Sequence, residues 1–329
     1  MEGKIALEEH FAMADTIQDS QQYFTADSWP ARRRLLLDIQ DRRLEEMDRC
    51  GIELAILSLN SPAIQAIDDA ARAVDAARRA NDFLAEQVAR RPKRFAAFAA
   101  LPLQDADAAS RELRRAVTEL GCVGALANGF SQTSAGERAS YYDQPEHRPF
   151  WAELESLDVP FYLHPRNPLP SQQLAYRDQP WLLGPAWAFA METGLHALRL
   201  MGSGLFDRHP RLNIILGHLG EMLPGHIWRS SHWASASGRN PQGVRAEKPF
   251  IDYFRKHFHV STSGNFHTIA MRQAMDEIGA ERVLFATDYP FEDMVEACDW
   301  FDRAEIGDND RERIGRGNAL RLFRLEDRV

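Results

Sequence analysis

The sequence predicts an α/β fold: a (β/α)8 TIM-like barrel with a metal site at the C-terminal ends of its strands. Three observations carry that prediction. Short apolar runs alternate with amphipathic helical segments about eight times along the 329 residues, the pattern of a parallel sheet with crossover helices. Acidic and imidazole side chains stand at the C-terminal ends of several of those runs, where a barrel gathers its site. No G-x-G-x-x-G follows any of the runs, which disfavours an open dinucleotide-binding sheet.

The first strand is 4–11, Lys-Ile-Ala-Leu-Glu-Glu-His-Phe. Alternate residues of a strand share a face, so Ala6, Glu8 and His10 are expected on one side and Ile5, Leu7 and Glu9 on the other. Residues 12–32, polar but carrying Tyr23, Phe24 and Trp29, read as a long loop. A helix is predicted over 33–49, with Leu35, Leu36, Ile39, Leu44 and Met47 on one stripe. Strand two is 54–59, and the Ala/Arg-rich helix at 67–91 ends at Pro92. Strand three is 95–101, followed by a helix starting near Asp105 or Asp107, whose carboxylates suit a helix N-terminus. Strand four, 123–127, leads into Asn128-Gly129, and a helix follows at 147–157.

Strand five is 159–164, with Pro160 tolerated near a strand start. A Pro- and Trp-rich connection covers 165–187 and a helix 188–205. Strand six is 212–218, and its helix, 221–235, carries Glu221 on its first turn and Arg229 two turns on. Strand seven (258–262), a helix (267–278), strand eight (282–288) and a closing helix (309–323) complete one barrel domain over 1–329. Its two long loops are 12–32 and 165–187.

Composition narrows the function. Hydrophobic residues make up 44% and charged residues 26%, ample for a core. A formal charge of -9 argues against nucleic acid as a partner, because phosphate binding needs a basic face. Cys50, Cys122 and Cys298 form no CxxC pair, which suggests buried thiols in a reducing compartment. With no signal-peptide pattern and no apolar run of membrane-spanning length, the chain is expected to be cytoplasmic and free of membrane.

Glu8, His10, His164, His218 and Asp288 all fall at strand ends. Parity supports their convergence: Pro160 and Tyr162 lead to His164, Ile214 and Leu216 to His218, and Leu284 and Ala286 to Asp288. Carboxylates and imidazoles without thiolates suit Mn²⁺, Zn²⁺ or Fe²⁺ better than Mg²⁺ or Ca²⁺. The set permits one metal on Glu8, His10, His164 and Asp288, with His218 beside it. Asn128 stands where a bridging carbamylated lysine would be needed for a second metal. Glu221 could orient His218 or simply cap its helix, and Arg229 could reach an anionic substrate or pair with Glu221 or another acid. Phe11, Tyr23, Trp187, Phe189, Tyr289 and Phe291 are expected at the rim, where they suit a flat apolar substrate, and Asn128 suits a substrate hydroxyl.

Motifs spread along the chain carry a resemblance. They are G-K-I-A-L-E-E-H-F at 3–11, F-A-A-L-P-L-Q-D at 98–105, G-A-L-A-N-G-F-S-Q at 124–132 and V-P-F-Y-L-H-P-R-N-P-L-P at 159–170. L-N-I-I-L-G-H-L-G-E at 212–221, T-S-G-N-F at 262–266 and T-D-Y-P-F-E at 287–292 continue it. On these motifs the chain resembles the nonoxidative aromatic acid decarboxylases of the amidohydrolase superfamily, in particular their γ-resorcylate type. The general superfamily pattern on strand one is H-x-H, whereas this chain has E-x-H. Relatives acting on other benzoates tend to carry alanine where His10 stands. Tyr23 and Tyr289 replace other aromatics expected at those positions.

The resemblance implies a metal-dependent decarboxylation of 2,6-dihydroxybenzoate to resorcinol and CO2, reversible in principle. It further implies Mn²⁺ or Zn²⁺ on Glu8, His10, His164 and Asp288, no organic cofactor, and a homotetramer. Tyr23, Asn128, Phe189, Arg229 and Phe291 are the expected substrate contacts. Cleaving the carboxylate requires protonating the ring carbon that bears it; Asp288, displaced from or loosely held by the metal and with its pKa raised by burial and substrate charge, is the candidate donor, assisted by His218 and Glu221. The same residues could instead activate water in a hydrolase of esters or lactones. A third alternative is a non-catalytic barrel binding small aromatic acids.

Overall fold

The computed structural model describes residues 1–133, 137–235 and 242–328. Eight parallel strands follow one another in chain order around a barrel: β1 (Lys4–Phe11), β2 (Ile52–Leu59), β3 (Phe95–Ala100), β4 (Gly124–Asn128), β5 (Phe161–His164), β6 (Ile214–Leu216), β7 (Phe258–Ser261) and β8 (Val283–Leu284). The ring closes where Leu7 bridges Ala286. Leu7 N donates to Phe285 O at 3.2 Å and His10 N to Tyr289 O at 2.7 Å across that seam.

Two apolar layers share the strands. Ile5, Leu7, Leu54, Ile56, Phe98 and Tyr162 belong to the barrel interior, floored by Phe323 and Leu325. Ala6, Leu57, Phe161, Leu163, Ile214 and Leu216 face the surrounding helices. This assignment corrects the parity expected for two strands. Ala6 faces outward and Ile5 and Leu7 inward, yet Glu8 and His10 still reach the inner mouth. The pairing with β2 slips between Leu7 and Glu9, and Glu8 takes a left-handed φ of 65°. A bulge inserts one extra residue and inverts the alternation beyond it.

The second correction is on β6. Ile214 and Leu216 point outward, Ile215 inward, so strand alternation does not deliver His218. The strand stops at Leu216, and His218, Leu219, Gly220, Glu221 and Met222 run through successive positive φ values of 51°, 57°, 89°, 53° and 67°. That turn re-aims His218. Ser263 Oγ accepts from His218 N at 3.1 Å, and Leu219 N donates to Ser261 O at 2.7 Å.

The helix expected over 33–49 is two helices, Trp29–Leu37 and Arg42–Arg49. The break falls where Asp38 carboxylate oxygens accept from the Asp41 and Arg42 amides at 3.1 Å, a local competitor to helical bonding. The closing helix is likewise divided, with a widened turn at Arg313–Gly317 between Asp308–Glu312 and Asn318–Phe323. Asp69 and Asp105 cap the helices Ala70–Arg90 and Ala106–Thr118 by accepting from Arg72 N at 2.8 Å and Ala108 N at 2.9 Å. Helices at Phe250–His257 and Met294–Arg303 are additional to those the sequence predicts.

Candidate metal centre and active site

Glu8 and His10 come from β1, His164 ends β5, and Asp288 lies just beyond β8. One donor atom from each falls within 4.8 Å of every other, and all four residues are buried. His164 Nε2 lies 3.3 Å from Glu8 Oε1, and His10 Nε2 lies 3.3 Å from Asp288 Oδ1. Neither Glu8 Oε1 nor His10 Nε2 makes a hydrogen bond of acceptable geometry. Buried polar atoms without partners are uncommon. Converging oxygen and nitrogen donors of this kind fit a divalent cation such as Mn²⁺, Zn²⁺ or Fe²⁺.

Neighbouring groups aim these donors. Glu8 Oε2 accepts from the Tyr162 hydroxyl and from Ser261 Oγ at 3.1 Å, leaving Oε1 toward the centre. Ser58 Oγ lies 3.1 Å from His10 Nδ1, so Nε2 faces inward. The His10 ring meets His164 edge-on, with centroids 4.7 Å apart, and Phe291 at 5.2 Å. Gly217 makes room: a Cβ there would sit 3.0 Å from Glu8 Oε1 and 3.1 Å from Oε2. On the opposite face of β1, Glu9 turns to Thr287 instead, as the alternation of Glu8, Glu9 and His10 requires.

His218 stands beside this cluster. Its Nδ1 is 2.7 Å from Glu221 Oε1, and its Nε2 is 3.7 Å from Asp288 Oδ2 and 3.9 Å from Glu8 Oε1. Burial pulls the His218 pKa down, but the charges of Glu221 and Glu8 and the bonds to Asp288 and Glu221 outweigh it, and the pKa lies well above the ordinary value. Burial lifts Asp288, yet the imidazoles of His10 and His218 close beside it overcome that and hold its carboxyl below the carboxylate range. The expected raising of Asp288 rested on burial and on substrate charge; of these, burial is outweighed here by the neighbouring imidazoles. Burial and neighbouring His10 push His164 well below its ordinary value, leaving a neutral imidazole. Glu221 precedes the helix Leu223–Ser235 rather than lying on its first turn, and it makes the expected bond from there.

A cavity of about 400 Å³ opens beside the cluster, lined by Phe189, His218, Glu221, Asn265, Asp288 and Glu292 among others. Tyr23 packs edge-on against Phe189 at 5.5 Å and lies 6.4 Å from Phe291; among the described residues, Phe189 lines the cavity and the other two pack behind it. Asn128 is paired in register with His164. Its Nδ2 donates to Asn60 O at 3.1 Å, while its Oδ1 is buried without a partner. Arg229 is exposed on the helix after His218 and does not line the cavity; that helix starts later than expected. Two of the expected rim aromatics lie elsewhere. Phe11 is packed against Phe83 in the outer core at 6.0 Å, and the Tyr289 ring lies under Arg43 at 4.8 Å.

Several contributors escaped the sequence reading. Tyr162 was placed on the inward face, but a strand tyrosine gives no sign that it will meet Glu8. Ser58 and Ser261 are small polar residues at strand ends and carry no distinguishing pattern. Arg166, within H-P-R-N-P-L-P, is buried; its Nη1 donates to Gln65 O at 3.0 Å and Phe130 O at 2.9 Å. It ties down the segment after β5.

A parallel eight-stranded barrel carrying two carboxylates and two imidazoles at its C-terminal mouth defines a metal-binding barrel of enzyme type. The amidohydrolase family model matches residues 19–325, and the chain belongs to that family. It is 59% identical over 331 residues, 100% of both chains, to a γ-resorcylate decarboxylase of Rhizobium radiobacter. A crystal structure of 2,6-dihydroxybenzoate decarboxylase complexed with 2,6-dihydroxybenzoate superposes with a TM-score of 0.96 at 59% identity, covering 99% of this chain and 100% of the other. A dihydroxybenzoic acid decarboxylase from Polaromonas sp. JS666, with bound manganese and the inhibitor 2-nitroresorcinol, gives 0.97 at 55% identity, covering 100% and 99%.

Proposed function

We propose that this chain is a metal-dependent carboxy-lyase that converts 2,6-dihydroxybenzoate to resorcinol and CO2, reversibly in principle. The observation that carries the reading is the buried Glu8–His10–His164–Asp288 cluster in a chain aligned end to end with decarboxylases of that substrate. These four side chains would hold one divalent ion. Manganese is favoured by the Polaromonas relative, and Zn²⁺ suits the same donors. Such an ion would fix the substrate's carboxylate and ortho-phenolate oxygens together.

The remaining chemistry belongs to the protein. The ring carbon bearing the carboxylate takes a proton, the bond from that carbon to the carboxylate breaks, and the electron pair returns to the ring as CO2 leaves. The ring is its own electron sink, so no organic cofactor is required. His218 keeps its Nδ1 proton directed at Glu221 and, as an imidazolium, offers the Nε2 proton toward Asp288. Asp288 Oδ2, 3.7 Å from His218 Nε2, is the group through which it reaches the ring carbon. Among the described residues the cavity lining contains Glu221, Asp288 and Glu292 and neither lysine nor arginine. Attraction for an anionic substrate therefore falls to the metal and to cationic His218. Phe189 supplies the aromatic wall, backed by Tyr23 and Phe291, and Asn128 Oδ1 is an acceptor for a ring hydroxyl. Arg229 is left to the outer surface near the entrance.

Product identity tests the reading. Resorcinol and CO2 from 2,6-dihydroxybenzoate support it. Turnover of esters or lactones without CO2 release would establish a hydrolase, and inertness toward a panel of hydroxybenzoates would reject the decarboxylase. We also infer one barrel domain that assembles as a homo-oligomer, a tetramer by resemblance, as exposed Met191, Leu195, Trp228, Trp233 and Ile269 suggest. A cytoplasmic location is inferred from three buried free cysteines. Among the described residues no helix is long and apolar enough to cross a membrane.

A further inference from the structure

Glu9 is fully buried, adjoins two metal-ligand candidates in sequence, and takes no part in the chemistry above. Its carboxylate faces away from the metal cluster and grips the other side of the barrel seam. Oε1 accepts from Thr287 N at 2.9 Å and Oε2 from Thr287 Oγ1 at 2.7 Å. Thr287 immediately precedes Asp288, whose left-handed φ of 61° turns its side chain toward His10 and His218. β8 pairs with β7 at Val283 and Leu284 and meets β1 at the Leu7–Ala286 bridge, so the Glu9 contacts to Thr287 fall just beyond that bridge, on the way to Asp288. The Glu9 side chain extends that seam by two side-chain contacts.

Arg43 does the matching work on β1. It too is fully buried, and its guanidinium donates to the His10 carbonyl while lying over the ring of Tyr289, 4.8 Å from its centroid. One buried carboxyl group thus holds the backbone before Asp288. One buried cation holds the backbone of His10 and packs on the residue after Asp288. Burying two ionisable side chains is costly, and both are spent on the segments that carry facing metal donors.

We infer that Glu9 and Arg43 are positioning residues that set the spacing between His10 and Asp288, and thereby the metal affinity of the site. The inference rests on the reading of this cluster as a metal site and is independent of the substrate. The decisive readout is Mn²⁺ binding by titration calorimetry to full-length protein stripped of metal, with circular dichroism of each metal-free variant. Glu9→Gln keeps the shape but removes the charge and the acceptor for the Thr287 hydroxyl. Thr287→Val removes the hydroxyl leg alone, and Thr287→Ser restores it.

Glu9→Gln and Thr287→Val are expected to bind Mn²⁺ about 10- to 100-fold more weakly, the usual effect of removing a group that orients a ligand. Thr287→Ser should recover parental affinity. Should Glu9→Gln fail to fold, the Thr287 pair alone decides. Parental Mn²⁺ affinity in folded Thr287→Val, or a weakening that serine does not repair, overturns the inference. A parent that binds Mn²⁺ normally yet leaves 2,6-dihydroxybenzoate intact removes the substrate assignment and leaves this one standing.

Discussion

His218 and Glu221 are joined Nδ1 to Oε1 at 2.7 Å, within a turn whose five residues all have positive φ. That bond directs the Nδ1 proton at Glu221 and leaves Nε2 facing Asp288 Oδ2. It also stabilises the imidazolium, since an adjacent carboxylate favours the charged form.

The first expected consequence concerns pH. Glu221→Gln keeps an acceptor for Nδ1 but removes the negative charge that raises the His218 pKa. A cation losing its counter-charge gives up its proton at lower pH. The alkaline limb of the kcat profile should therefore move to lower pH in the variant. An unchanged limb would show that His218 does not supply the proton.

Asp288→Asn removes the carboxylate between His218 and the cavity. General acid–base groups contribute roughly 10²- to 10⁴-fold, and a loss of turnover in that range is expected even at saturating Mn²⁺. Near-parental turnover with metal retained would sink the proton-transfer role.

Tyr162→Phe removes one of the two donors that hold Glu8 Oε2. Ser261 remains, so weaker Mn²⁺ binding near the lower end of the ~10- to 100-fold range is expected, with the barrel intact. Equal affinity in the two proteins would mean that Ser261 alone orients Glu8.

His259 gives a stability signature far from the chemistry. Burial, with charge from Arg282 and Arg321, lowers its pKa from 6.5 to about 3, so the folded protein keeps this ring neutral. The unfolded chain takes up a proton below about 6.5 and the native state does not. Stability is thus complete above that pH and declines toward 3 by about 1.4 kcal/mol per pH unit for this group. Denaturant unfolding of metal-free protein should show a shallower acid decline in His259→Leu. Identical pH slopes for parent and variant would contradict the assignment.

The barrel and the metal set were legible because alternating apolar runs and strand-end acids and histidines are patterns of period and position. His164 follows from alternation alone, and Asp288 has the parity alternation gives it but is turned by its left-handed φ of 61°. Glu8 and His10 reach the mouth through a bulge at Glu8, and His218 through a left-handed turn, so the expected residues arrive by routes that alternation does not encode. Leu216 shows the limit: it faces the helices although His218, two residues on, faces the site. Arg229 and Tyr289 illustrate the same limit. Their side-chain types suit a substrate pocket, but where a helix begins and which side a residue after a strand faces depend on tertiary bonds. The support from Tyr162, Ser261 and the Glu9–Thr287 clasp joins strands distant in sequence, and no local pattern announces it.

The most direct test of a metal-dependent decarboxylase is product formation from 2,6-dihydroxybenzoate by purified protein before chelation, after it, and after Mn²⁺ add-back. Resorcinol and CO2 that disappear on chelation and return with Mn²⁺ are the expected result. Undiminished resorcinol from fully stripped protein, or none from protein shown to hold Mn²⁺, would contradict it.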